Sequence, residues 1–99
     1  MINELLLEGE QNATSGQDLC RLLRINPRAL TKQINAERRA GYPICATCNG
    51  KNPGYYLADN QETMRDYCGR LRHRINEISE TLRYCAEAAD SLPERGEGL

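Results

Sequence analysis

The fold is decided by residues 15–41, SGQDLCRLLRINPRALTKQINAERRAG. Ser15 predicts the start of one helix, because a serine hydroxyl can accept from a free backbone amide in the first turn. Asn26 followed by Pro27 predicts a second start, since Asn is a favoured N-cap and Pro fits the first helical position. Gly41 is a natural C-terminal residue for that second helix. The segment therefore predicts two helices joined by a tight turn.

The flanking segments complete a mainly helical fold. The chain has no Phe and no Trp, so its core must come from Leu, Ile and Ala, a composition that favours helices over an all-β sandwich. A short amphipathic helix is expected at the amino terminus, and residues 42–48 and 55–57 are expected to form a β-hairpin with a long polar tip. The side chains predicted to face the core are Ile2, Leu5, Leu6, Leu19, Leu22, Leu23, Leu30 and Ile34.

The last part of the chain predicts a long coiled-coil helix over residues 60–92. Its apolar residues alternate at spacings of four and three without a slip, as a coiled coil requires. A helix of this length exceeds what one small domain covers, so pairing with a second copy is favoured over packing on its own domain. The parallel or antiparallel sense stays open. The predicted dimerisation residues are Met64, Cys68, Leu71, Ile75, Ile78, Leu82, Cys85 and Leu92, with Ala89 on the same seam. Residues 1–59 form the first domain in this prediction, and residues 93–99 form a disordered tail.

The charge is distributed unevenly along the chain. The formal net charge is -1, which taken alone argues against a nucleic-acid partner. Residues 19–51, however, carry seven basic residues against one acidic residue, a net charge of +6. Acidic segments lie on both sides of this stretch. The middle third is therefore a candidate binding region for a polyanion.

One face of the predicted helix 27–40 has the side chains of a DNA-reading surface. Arg can bind a guanine edge with two hydrogen bonds, Asn can do the same with adenine, and Lys and Thr can reach phosphates. The order helix, helix, turn, basic helix, hairpin is typical of a winged helix-turn-helix. A solvated basic face with no partner is the competing interpretation. The predicted DNA-binding residues are Arg28, Thr31, Lys32, Asn35, Arg38 and Arg39, with Asn49 and Lys51 from the hairpin tip.

Residues 5–59 resemble the winged-helix DNA-binding domain of the biotin operon repressor superfamily and its related short regulators. The resemblance is carried by SGQDLCRLL (15–23), INPRALTKQI (25–34), RRAGYPI (38–44) and GYYL (54–57). It covers about half of the chain and implies that helix 27–40 enters the major groove while the wing, residues 45–56, contacts the backbone. It does not extend to a ligase domain, so no biotin chemistry is expected.

Two residues depart from the pattern of that family. Arg24 stands where the family usually turns on Gly, and Glu37 stands where it usually buries a Leu. An unpaired buried carboxylate is costly. We therefore expect Arg38 or Arg21 to pair with Glu37, or the helix to sit differently.

Other classes of function are disfavoured by the sequence. Five cysteines without an export signal favour reduced thiols in a cytoplasmic protein, and Cys45 with Cys48 supplies only two of the four ligands of a structural zinc. No catalytic residue set, cofactor, metal, membrane segment or small-molecule substrate is expected. The sequence thus predicts a non-enzymatic, homodimeric regulator of bacterial or phage origin that binds double-stranded DNA. The alternative is a protein-interaction module, for instance in phage replication or packaging, whose function lies in the coiled coil.

Overall fold

A computed structural model describes residues 1–47 and 53–94 of the chain. Within that part the protein has a mainly helical fold with one small antiparallel hairpin, as the sequence predicts. The elements are α1 (Gly16–Leu23), α2 (Pro27–Arg39), β1 (Ile44–Thr47), β2 (Gly54–Leu57) and α3 (Gln61–Asp90), with short 3₁₀ turns at Ile2–Leu5 and Glu10–Asn12.

The helix ends lie where the capping residues predict them. The Asp18 amide donates to Ser15 Oγ at 3.0 Å, and the Ala29 amide donates to Asn26 Oδ1 at 2.8 Å. Each of these bonds satisfies one of the backbone donors that a helix leaves unpaired in its first turn. Arg24 ends α1 in the left-handed conformation, with φ 56° and ψ 46°. That conformation explains why a glycine would be expected at position 24.

The core contains fewer of the apolar side chains than the sequence pattern predicts. Its central cluster of buried side chains consists of Ile2, Leu6, Leu19, Leu30, Ile34 and Ile44. The prediction was wrong for Leu5 and Leu22, which are exposed, Leu22 by 68%. The amino-terminal segment makes a four-residue 3₁₀ turn in place of the short amphipathic helix that the spacing suggested.

The free edge of strand β2 is hydrogen-bonded to the segment that precedes α1. β1 and β2 pair antiparallel, with Cys45 opposite Tyr56. On the other side of β2, the amides of Thr14 and Tyr55 each donate to the other residue's carbonyl at 2.8 Å. The backbones are so close here that a Cβ on Gly54 would lie 2.2 Å from the Thr14 carbonyl oxygen. Position 54 therefore requires glycine, because any larger side chain would clash with the Thr14 backbone.

The chain divides into two compact units, residues 1–67 and residues 68–99, which we call unit 1 and unit 2. Unit 1 holds α1, α2, the hairpin and the first two turns of α3. Within residues 68–94 of unit 2, every side chain is exposed except Leu71, which is half-buried. Most of the predicted disordered tail, residues 95–99, lies outside the described residues, while Pro93 and Glu94 are exposed.

Candidate nucleic-acid interface

Helix α2 is oriented by its apolar side. Leu30 and Ile34 are almost completely buried, at 3% and 2% exposure, and their spacing of four places them on one face. The N-cap Asn26 and Pro27 define where the helix begins. Burial of one face leaves the opposite face of α2 in solvent.

The exposed side of α2 brings together five of the predicted DNA-binding residues. They line one shallow surface depression together with Pro27, and we call them the α2 basic face: Arg28, Thr31, Lys32, Asn35 and Arg39. All five side chains are exposed. From Arg28 to Arg39 the helix advances by about 16 Å, at 1.5 Å per residue.

The α2 basic face is a region of uncompensated positive charge. The one acidic residue of α2, Glu37, is buried with 2% exposure and does not belong to this face. Within residues 1–47 and 53–94, no ion pair involves Arg28, Lys32 or Arg39. Three cations on one helix face, without an acidic partner among the described residues, create a positive potential that attracts phosphate groups.

Arg38 is placed elsewhere. Its Nε donates to the carbonyl of Ile44 at 2.9 Å, and its terminal nitrogen donates to the Tyr67 hydroxyl at 3.0 Å. The guanidinium carbon also lies 5.4 Å from the centre of the Tyr67 ring, within the range of a cation–π contact. Arg38 thus joins α2, β1 and the start of α3 inside unit 1. The structure does not bring it to the α2 basic face.

The hairpin residues of the prediction are described only in part. Asn49 and Lys51, expected at the tip of the wing, lie outside the described residues, as does Cys48. On the described flanks, Cys45, Thr47 and Tyr56 are buried, while Pro53 is exposed.

The buried carboxylate of Glu37 has a role that the sequence did not reveal. It accepts hydrogen bonds from the Ile2 amide at 2.9 Å, the Asn3 amide at 2.7 Å and Gln33 Nε2 at 2.8 Å, and also from the Asn3 side chain. Both amides lie at the start of the 3₁₀ element Ile2–Leu5, where the backbone of the element itself offers no hydrogen-bond acceptor for them. The expectation that Arg38 or Arg21 pairs with Glu37 was wrong, because backbone and amide donors surround the carboxylate instead.

These donors also set the acidity of Glu37. Burial alone would raise the pKa of the Glu37 carboxyl, because it disfavours the charged form. The hydrogen bonds from Asn3, Gln33 and Ile2 together outweigh burial, so the pKa lies below its ordinary value. Glu37 is therefore a charged residue that fastens the amino terminus to α2.

The predicted dimerisation residues fall into two environments. Met64 lies in unit 1, half-buried, with its sulfur 3.6 Å from the Cys45 sulfur. Leu71 is half-buried. The remaining seam residues are exposed, and they are Cys68, Ile75, Ile78, Leu82, Cys85, Ala89 and Leu92.

The described residues give little support to a metal site. No group of three His, Cys, Asp or Glu side chains within residues 1–47 and 53–94 is arranged to hold a metal ion. Among the cysteines described, Cys45 is buried, Cys20 is half-buried, and Cys68 and Cys85 are exposed.

Comparison with known proteins returned no match: no protein family, curated protein or solved structure is detectably similar to this chain. Among the described residues, no helix is both long enough and apolar enough to cross a membrane.

Proposed function

We propose that this protein is a non-enzymatic double-stranded DNA-binding protein that reads the major groove with α2. The observation that carries the proposal is the α2 basic face, where three cations that form no ion pair with any described residue accompany an exposed Asn and an exposed Thr. A major groove about 12 Å wide admits one α-helix. Arg28 and Arg39 are suited to guanine edges or phosphates, Asn35 to adenine, and Lys32 and Thr31 to phosphates.

The arrangement of elements supports a winged helix-turn-helix. Helix α1 and helix α2 are separated by three residues, 24–26, and a hairpin follows α2. In helix-turn-helix proteins the second helix is the one that enters the groove, and here it is the helix that carries the basic face. In this proposal the hairpin, residues 45–56, contacts the DNA backbone beside the groove. By its resemblance to small bacterial and phage regulators, the protein would regulate transcription.

The proposal includes self-association through the exposed seam of α3. The apolar side chains of this seam recur at alternating spacings of three and four residues, as in a coiled coil. They are nevertheless exposed: Ile75 by 62%, Ile78 by 65% and Leu82 by 67%. A large apolar side chain left in water forgoes about 1.5–3 kcal/mol relative to a buried one. Pairing of two such seams would recover much of that free energy. A dimer would present two copies of the α2 basic face to a pseudo-palindromic DNA site.

A second candidate function follows from the same seam. The protein could be an interaction module in an assembly, with unit 1 as a scaffold and the coiled coil as its active surface. In that case the α2 basic face is simply solvated, and its charges have no specific partner.

A double substitution separates the two candidates. Arg28→Ala with Lys32→Ala removes two cations of the α2 basic face without altering its buried side. The matched control, Arg70→Ala with Arg83→Ala, removes the same charge from exposed sites on unit 2, away from that face and from the seam. Fluorescence anisotropy with a mixed-sequence duplex at low salt measures the affinity. We expect the first variant to lose at least tenfold in affinity and the control to lose less than threefold. Equal losses would contradict the DNA-binding proposal.

A further inference from the structure

We infer that the seam of unit 2 pairs with a second copy of this chain in the antiparallel sense, so that Cys68 lies beside the partner's Cys85. The inference rests on the self-association proposed above and assigns its geometry. It is independent of whether the α2 basic face binds DNA.

The first observation is that the six seam residues from Cys68 to Cys85 read the same in both directions. Their centre lies between Asn76 and Glu77, and seam residues at equal distances from that centre are of the same type. The symmetry ends beyond them, because Met64 is mirrored by Ala89. The symmetric pairs are Ile75 with Ile78, Leu71 with Leu82, and Cys68 with Cys85. All six belong to unit 2, and all but Leu71 are exposed.

This symmetry suits antiparallel packing. In the heptad of the seam, Cys68, Ile75 and Leu82 occupy a positions, while the other three residues occupy d positions. Two antiparallel helices place each a position opposite a d position of the partner. Centred between Asn76 and Glu77, such a pair has an isoleucine layer, a leucine layer and a cysteine layer on each side. Every layer then contains two residues of equal size, which allows even packing along the interface.

Like residues would also meet in a parallel pair, so charge must decide between the two senses. Residues 68–76 carry three arginines and no acidic residue. Residues 77–94 carry five acidic residues and one arginine. A parallel pair places the basic ends side by side and the acidic ends side by side. An antiparallel pair places each basic end beside the partner's acidic end, which is the favourable arrangement.

The positions that flank the seam point the same way. Arg72 and Arg74 lie at the e and g positions beside the Leu71 and Ile75 layers. In a parallel pair, the Arg72 and Arg74 side chains of both helices lie at the same level along the axis. Four like charges then surround these two layers and repel one another. In the antiparallel pair, Arg72 lies across from the partner's Ser79, and Arg74 lies across from the partner's Thr81. Neither serine nor threonine carries a charge, so this repulsion is absent.

Cysteine cross-linking tests the orientation directly. Along the helix Cys68 and Cys85 are separated by roughly 25 Å, at 1.5 Å per residue. A disulfide requires Cα atoms within about 7 Å. An antiparallel pair can therefore join Cys68 only to the partner's Cys85. A parallel pair can join only identical cysteines.

The experiment uses the full chain carrying Cys48→Ser, with Cys20 and Cys45 retained. One variant adds Cys85→Ala, and a second adds Cys68→Ala. Each is treated with diamide, which accepts the two electrons and two protons released as two thiols form a disulfide. The two variants are then treated as a mixture after subunit exchange. Non-reducing electrophoresis and mass spectrometry of tryptic peptides 66–70 and 84–95 identify the bonds.

The expected result is a cross-linked dimer in the mixture, with peptide 66–70 joined to peptide 84–95, and none from either variant alone. Cross-linking within each separate variant would show parallel pairing and overturn the inference while leaving the proposed dimer intact. A monomeric mass by light scattering with no cross-link in any sample would overturn both the orientation and the self-association. The DNA titration described above would be unaffected by either outcome. Circular dichroism of both variants confirms that the alanine substitutions leave the helix folded.

Discussion

Replacement of Glu37 by glutamine tests how the amino terminus is attached to unit 1. The wild-type carboxylate accepts from two backbone amides and from the side chains of Asn3 and Gln33. Each carboxylate oxygen accepts two of these hydrogen bonds. In glutamine one of the oxygens is replaced by an NH₂ group, which cannot accept, so about two of the four hydrogen bonds are lost. A hydrogen bond to a charged group contributes about 1.5–3 kcal/mol. We expect Glu37→Gln to lower the free energy of unfolding by about 3 kcal/mol or more.

The assay should follow unit 1 alone, because the helix of unit 2 dominates any far-ultraviolet signal. Three tyrosines, Tyr55, Tyr56 and Tyr67, lie buried or half-buried in unit 1 and report its packing by near-ultraviolet circular dichroism. At about 4–8 °C per kcal/mol for a domain of this size, the midpoint should fall by roughly 12–24 °C. Glu62→Gln, at an exposed site on α3, should change stability by less than about 0.5 kcal/mol. A loss below about 1 kcal/mol for Glu37→Gln would refute the reasoning.

The same site predicts a dependence on pH. The pKa of Glu37 is lower in the folded state than its ordinary value, so the folded state favours the charged carboxylate. The resulting stabilisation is complete above the unfolded pKa of about 4.3 and is lost as the pH falls through the folded value. The stability of the wild type should therefore decline more steeply in acid than that of Glu37→Gln. Parallel pH profiles for the two proteins would contradict this account.

Three backbone positions, at Gly54, Gly69 and Arg24, give further predictions. Gly54→Ala should destabilise unit 1 by about 2 kcal/mol, because its Cβ would displace the Thr14 carbonyl and break two hydrogen bonds. Gly69→Ala is the matched control: among the described residues, no atom outside the helix's own nearby backbone lies within 4 Å of its added Cβ, so it should stabilise α3 by about 0.5–1 kcal/mol. Urea denaturation measures both, and a neutral Gly54→Ala would be inconsistent with the close approach. At Arg24, the left-handed φ of 56° predicts that Arg24→Val costs about 1–2 kcal/mol more than Arg24→Gly in thermal unfolding. Equal midpoints for the two Arg24 variants would argue against strain at this turn.

Local signals predicted the helix boundaries well. Ser15 and Asn26 are caps whose hydrogen bonds span three residues, so the sequence alone contains both partners. The hairpin and the long last helix were predicted for the same reason, since a change of period from helical to alternating and back is a local property. The spacing of apolar residues in α1 and at the amino terminus did not show how many of those residues would be buried. The exposure of Leu22 and Leu5 depends on which elements pack against them.

The roles of Glu37 and Arg38 could not be read from local pattern. The amides that bind Glu37 lie 34 and 35 residues away in the chain, and the hydroxyl that accepts from Arg38 lies 29 residues away. One signal was available in the sequence, because Glu37 continues the i, i+4, i+7 series of Leu30 and Ile34 and so falls on the buried face of α2. The donors that make this burial tolerable are backbone groups, which no residue type identifies.

The salt dependence of the affinity for duplex DNA is the most direct test of the proposal that the α2 basic face binds DNA. Each phosphate neutralised contributes a slope of about -0.9 to a plot of log K against log salt concentration. If Arg28, Lys32 and Arg39 all contact phosphates, the wild type should show a slope of about -3 or steeper for each bound unit 1. Arg28→Ala with Lys32→Ala should make that slope shallower by about 2. An unchanged slope in this variant, or no binding by the wild type at low salt, would contradict the account.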